Sequence, residues 1–217
     1  MRRPGRRRRR LLRSFPADVA GARPARRPLF RFILVTLAWL PVMFALWYVL
    51  APALLLPAEL IVHAVAAAFL GELVRSIETH ASVVSFVTTL RPGQAQAGGD
   101  LVVDVNMLLY AFGLPLFVAL TLAARQRPLW RPLLIGYVAM LPFIAWGVLA
   151  DFLKNVAITA PPLVVSQTGF GPRARDMIAF AYQFGSLILP AVVPAVAWVL
   201  THRPFLERLR AAPAQGD

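Results

Sequence analysis

The stretch "SFVTTLRPGQAQAGGDLVVDVNMLLYAFGLPLF", Ser85–Phe117, carries two periodicities that no single element can hold. In its first part Phe86, Thr88 and Leu90 share one face with Val84 just before them. After the link "RPGQAQAGG", Leu101, Val103 and Val105 share a face, while Asp100, Val102, Asp104 and Asn106 point the other way. Strict alternation predicts two half-buried strands, and the Pro- and Gly-rich link makes them a hairpin. From Val105 the alternation stops, and no Asp, Glu, Lys or Arg appears before Arg125. A run of that kind, about 20 residues long, predicts a membrane-crossing helix. The hairpin therefore stands on the lip of a bilayer.

Three further stretches lack charge: Phe32–Ala58, Pro132–Ala150 and Met177–Thr201. With 59% hydrophobic residues and continuous rather than periodic apolarity, the chain reads as an α-helical integral membrane protein of four spans, residues 32–56, 105–124, 132–150 and 177–201. Leu60–Gly71, between Glu59 and Glu72, is too short to count as a fifth. Basic residues set the expected orientation. The segment 1–31 holds 12 arginines, and residues 125–131 and 202–217 hold three each. The positive-inside rule then places both termini in the cytoplasm and turns the connections 57–104 and 151–176 outward.

The Arg-rich segment 1–31 is low in apolar residues and is expected to be a disordered cytoplasmic tail. Its functional reading is contact with anionic lipid, and its bland reading is a topology signal. Nucleic-acid binding is disfavoured, because no aromatic residues interleave the arginines. The N-terminus does not read as a cleavable signal, since its first apolar run far exceeds an h-region. The absence of Cys excludes disulfides, thiol nucleophiles and Cys-based zinc sites. Each span contains proline (Pro41, Pro115, Pro142, and Pro190 with Pro194), which shapes helix packing more often than it opens a pathway.

The outward segments carry what polar chemistry there is. Glu59–His80 has Glu59 and His63, then Glu72 and Ser76, four residues apart, and predicts an amphipathic surface helix supporting the hairpin. His63, Glu72 and His80 lack metal-motif spacing. Ser82 or Ser85 with His80 and Asp104 makes only a weak catalytic set. "VDVN" places Asp104 and Asn106 at the strand-to-helix junction, where Asp104 is expected to cap the new helix or to complement its N-terminal dipole. "DFLKN" sets Asp151 and Lys154 three apart as a helix-surface ion pair. Anchoring and capping explain both clusters. The functional alternative is a partner contact made by Phe86, Val103, Asp104, Asn106, Asp151 and Lys154, with Phe86 and Val103 offering an apolar face.

"SFVTTL", "VVDVNMLLYAFGLPLFVALTLA", "LPFIAWGVLADFL" and "IAFAYQFGSLILPAVVPAVAWVLTHRPFL" resemble the exosortase H-associated membrane proteins. The likeness extends from about Phe32 to Leu206. It implies a bacterial inner-membrane protein that accompanies an exosortase, a multi-pass transpeptidase-like enzyme acting on exported proteins with a C-terminal sorting tag. A chain without Cys cannot be the Cys-dependent enzyme. The resemblance thus implies a non-enzymatic accessory protein without cofactor, and it transfers no catalytic residues. The rival class is a small transporter or channel subunit, against which stands the near absence of ionisable residues within the spans.

Overall fold

The computed structural model describes residues 26–92 and 99–211. Residues 1–25, with most of the arginine run, and the centre of the hairpin link lie outside that range. The elements in order are α1 (Arg26–Phe69), β1 (Val74–His80), β2 (Val83–Thr88), β3 (Val102–Asn106), α2 (Leu108–Ala111), α3 (Gly113–Ala124), α4 (Trp130–Lys154), α5 (Pro162–Gln167), α6 (Pro172–Gln183), α7 (Leu189–Thr201) and α8 (Arg203–Ala211). A π-helical turn, Asn155–Thr159, extends α4, and another, Phe184–Ile188, joins α6 to α7.

Among the described residues, three helical runs are long and apolar enough to cross a membrane: Leu29–Phe69, Trp130–Thr159 and Pro172–Thr201. The apolar helix over Leu108–Ala124 is shorter, about 25 Å at 1.5 Å per residue. Their outer surfaces expose Val49, Leu134, Ile135 and Leu187, side chains that lipid accepts and water does not.

α1 has 44 residues, about 66 Å and so roughly twice the hydrocarbon thickness. It continues through Pro41, Pro52 and Pro57. Near Pro57, which leaves the Ala53 carbonyl without its helical donor, the Tyr137 hydroxyl of α4 donates to the adjacent Leu54 carbonyl at 2.7 Å and ties the two helices together. The last residues of the predicted tail, Arg26–Arg31, belong to α1 rather than to a disordered arm.

The segment Glu59–His80 departs most from the sequence expectation. It is not one amphipathic helix. Glu59–Phe69 continues α1, the chain turns at Leu70–Leu73, and Val74–His80 is strand β1. The four-residue spacings of Glu72 with Ser76 and Arg75 with Thr79 suggest a helix. Val74, Ile77 and Thr79, however, are β-branched and pack well on a pleated surface. A hairpin of β2 and β3 alone is marginal, and a third strand makes it viable. The sheet is therefore three-stranded and antiparallel, in the order β1-β2-β3, not the expected two-stranded hairpin.

The second helical segment also begins later than expected, because Val105 and Asn106 finish β3 and Leu108 starts α2. After α2 the helix is interrupted at Phe112 and resumes at Gly113. That glycine is required: a Cβ there would run into the Pro194 side chain and the Pro190 carbonyl of α7. Small residues permit such close approach in membrane bundles.

Candidate partner-binding cap

The sheet closes one end of the helical bundle. Its inner face presents Val84, Phe86 and Thr88 of β2 with Val103 and Val105 of β3, all buried. Phe86 stacks on Phe152 of α4 with ring centroids 4.3 Å apart and an interplanar angle of 23°. Neither ring is exposed to solvent. Stacked aromatic pairs add about 0.5–1.5 kcal/mol to their burial. The apolar face of the hairpin thus rests on the protein's own bundle, with Phe86 and Val103 beneath the sheet.

The opposite face is polar. In register across the three strands lie Glu78, Ser85 and Asp104, and beside them His80, Val83 and Asn106. The Ser85 hydroxyl donates to the Asp104 carboxylate at 2.7 Å. The Leu108 backbone N–H donates to Asn106 Oδ1 at 3.0 Å, so Asn106, not Asp104, caps the helix that follows β3. Arg75 reaches over the sheet to an ion pair with Asp100, stapling β1 to the start of β3.

The connection after α4 is clasped to the cap by one side chain. Gln167 donates from Nε2 to the Arg91 carbonyl at 2.9 Å and accepts the Arg91 N–H on Oε1 at 3.0 Å. It pairs with the Arg91 backbone as a neighbouring strand would. No sequence pattern marks a single Gln for that role. Beside the clasp is an open groove of about 630 Å³, bordered by Phe69, Glu72, Thr89, Gln167 and Phe170.

Under the sheet, the cap end of the bundle holds its one dense polar cluster among the described residues. Lys154 Nζ meets Asp151 at 3.0 Å, which gives the predicted ion pair its geometry. Asn155 Nδ2 donates to Asp151 at 3.2 Å, and Lys154 Nζ lies 4.4 Å from the centroid of the Tyr182 ring. Tyr110 of α2 sits beside the same carboxylate. Its ring occupies space that only Gly147 leaves open, since a Cβ there would collide with it. Asn155 belongs to the same "DFLKN" run, four residues after Asp151, whereas Tyr110 and Tyr182 escape sequence reading because they come from separate elements with no motif to link them. Both π-helical turns fall next to this cluster, following Lys154 and Tyr182 by one or two residues, and such turns recur at functional sites.

The weaker sequence candidates are not brought together. His63 faces Glu59 at 3.6 Å, and His80 lies 4.0 Å from Glu78. Ser85 has its Asp104 partner but no recorded bond to His80, and Ser82 offers its carbonyl to the Met107 N–H. Among the described residues no three His, Cys, Asp or Glu side chains converge as metal ligands. Between Tyr110, Met140 and Pro190 the space is about 10 Å³, about the room one water needs, and a larger space of about 240 Å³ between α1, α3 and α4 is bordered by Trp47, Leu54, Phe117 and Tyr137.

This combination of long apolar helices and a small sheet folded onto their end defines a helical membrane protein with an attached polar cap. The chain belongs to the exosortase H-associated membrane protein family, whose model matches residues 26–205. No curated protein and no solved structure matches it.

Proposed function

We propose that this protein is a non-catalytic accessory subunit of an exosortase-dependent sorting system in the bacterial inner membrane. In this reading four helical spans, with both termini cytoplasmic, hold the cap on the outward side. There it contacts the exosortase or its C-terminally tagged substrate. Family membership over residues 26–205 carries the proposal. The distribution of basic residues supports the orientation. The cap supplies a surface suited to recognition: Asp104 and Asn106 stand on its polar face, with Glu78 and Ser85 in the same rows. Phe86 and Val103 serve beneath that face, with Phe86 stacked on Phe152 so that the polar rows are held on the bundle, and Asp151 and Lys154 tie α4 to α2 and α6 at the same end.

A transporter role draws little support from the bundle: the space of about 240 Å³ between α1, α3 and α4 is lined by apolar side chains such as Leu50, Leu54, Phe117 and Leu133, and the ion pair is closed on itself. The deciding experiment is affinity purification of the tagged full-length protein from native membranes solubilised in a mild detergent. Recovery of the exosortase in stoichiometric amount is expected. Its absence, with the protein intact and monodisperse, would overturn the accessory role.

A further inference from the structure

The two edges of the cap sheet are not equivalent. β3 lies along α4, whereas among the described residues nothing is hydrogen-bonded to the far side of β1. Which backbone groups are left there follows from the ladder. The Thr88 N–H donates to the Leu101 carbonyl and the Met107 N–H to the Ser82 carbonyl, both at 2.9 Å. In an antiparallel sheet this directs the even-numbered residues of β2 toward β3 and the odd-numbered ones toward β1. The register pairs Val83 with His80, Ser85 with Glu78 and Val87 with Ser76. Those three β1 residues therefore spend their backbone groups on β2. Ile77 and Thr79 point theirs to the free side, and no hydrogen bond among the described residues meets them. Thr79 Oγ1, next to them, is buried without a partner.

Alongside this strand, the end of α1 leaves a cleft of about 180 Å³ lined by His63, Ala66, Ala67, Val74 and Ile77. A strand laid on the edge would drop one side chain into it, and the two alanines leave that room. Charge limits the occupant further. Arg75 is taken up by Asp100, and His63 faces Glu59. Glu78 lies on the solvent side with its side chain 64% exposed, 4.0 Å from the still more exposed His80, and Glu72 is exposed nearby. The edge is acidic. A second copy of this chain fits poorly, because pairing Ile77 with Thr79 across a two-fold axis sets Glu78 against its own copy, a repulsive cross-strand pair.

We propose that the free edge of β1 takes up an extended segment of a partner polypeptide as a fourth strand, with a Lys or Arg of that segment facing Glu78 and a side chain seated in the cleft beside His63. Strand addition of this kind draws affinity from backbone hydrogen bonds and selectivity from alternate side chains. This rests on the accessory reading, and it names the surface and the kind of ligand.

The test places a photo-crosslinking residue at Ala67 in the full-length protein, in native membranes that also contain the exosortase and a tagged exported protein. Irradiation is expected to join position 67 to one of those two chains at a segment bearing Lys or Arg. Thr79→Pro removes an edge N–H that the internal ladder does not use. It should lower adduct yield about tenfold or more, the scale of one or two backbone hydrogen bonds. Thr79→Val should leave the yield unchanged. Glu78→Lys, a surface change that does not threaten the fold, should also lower it and covers the case in which the proline variant fails to fold. No adduct, adducts only to a second copy or to lipid, or a yield indifferent to both variants overturns the edge proposal. Exosortase recovery is read separately. If recovery is normal while the adducts ignore both variants, the accessory role stands and strand addition falls. If the wild-type protein recovers no exosortase and gives no adduct to either chain, both fall.

Discussion

Replacing Phe86 with Ala probes the joint between cap and bundle. Phe86 and Phe152 are both fully buried and stack at 4.3 Å, so truncation removes a ring from a site with no solvent to refill it. Buried Phe→Ala changes cost about 3–5 kcal/mol, including the cavity left behind. A three-stranded sheet holds little stability of its own, so the loss should fall on the cap and not on the helices, which pack independently. At about 1.4 kcal/mol per tenfold, amide exchange in β2 and β3 should accelerate by roughly two to three orders of magnitude. Trypsin should then cut at Arg75 and Arg91. Exchange in α4 and α7 should stay as in the wild type. Hydrogen exchange read by mass spectrometry in nanodiscs resolves the two regions. Unchanged exchange in β2 would refute the claim that this stack fastens the cap. Uniform acceleration across all helices would refute the claim that cap and bundle are separable.

Asp151→Asn should lower the melting temperature in detergent by leaving Lys154 without its anion; removing one partner of a fully buried pair costs about 3–5 kcal/mol, and the partial exposure of Lys154 brings the expectation to the low end or below. A double variant with Lys154→Met should regain part of that loss. Gly147→Ala should displace the Tyr110 ring and cost about 1–3 kcal/mol as an overpacking change, seen as altered Tyr fluorescence together with a lower melting temperature. Reporter fusions after Gln126 and at the C-terminus should read cytoplasmic, and fusions near Gln96 and Thr168 periplasmic; a cytoplasmic signal near Gln96 would overturn the four-span arrangement. Burial lowers the pKa of His202 below the usual histidine value. The folded state then binds fewer protons than the unfolded one, so stability should be full above about pH 6.5 and decline as pH falls below it. His202→Gln should flatten that slope in detergent melts.

The helical runs were legible because membrane helices leave uninterrupted apolar stretches: Trp130–Lys154 overruns the charge-free stretch 132–150 by two residues at its start and four at its end, and Pro172–Thr201 begins five residues before the stretch 177–201 and ends with it at Thr201. The alternation of Phe86, Thr88, Val103 and Val105 was legible for the same reason: strand period and burial face are the same fact. β1 was not, because "VRSIETH" follows a helix without a break in composition and its polar residues also fit a helical spacing. Its strand identity depends on β2, a tertiary condition that local pattern does not carry. The ion pair of Asp151 and Lys154 could be read from a three-residue spacing and Asn155 from a four-residue one, whereas Tyr110 and Tyr182 join them only once α2 and α6 pack against α4. Gln167 was invisible for a like reason, since its partner is the Arg91 backbone.

The continuation of α1 past Pro57 gives the cap its geometry. Had the helix ended at the membrane surface, the sheet would hang from two flexible connections. Instead α1 runs on to Phe69 and delivers β1 after a turn of four residues, Leu70–Leu73, whose backbone is tied at both ends: Val74 N–H to the Leu70 carbonyl at 2.8 Å and Thr89 N–H to the Leu73 carbonyl at 3.0 Å. On the other side Phe86 meets Phe152, and Gln167 clasps Arg91. The sheet is therefore held from α1, from α4 and from the α5 connection, and β1 is the strand that all three leave open along one side. Rigid support on three sides lowers the ordering cost that a partner strand would otherwise bear on docking. An edge both preorganised and acidic is what a cap needs in order to select a basic, extended chain at the membrane surface.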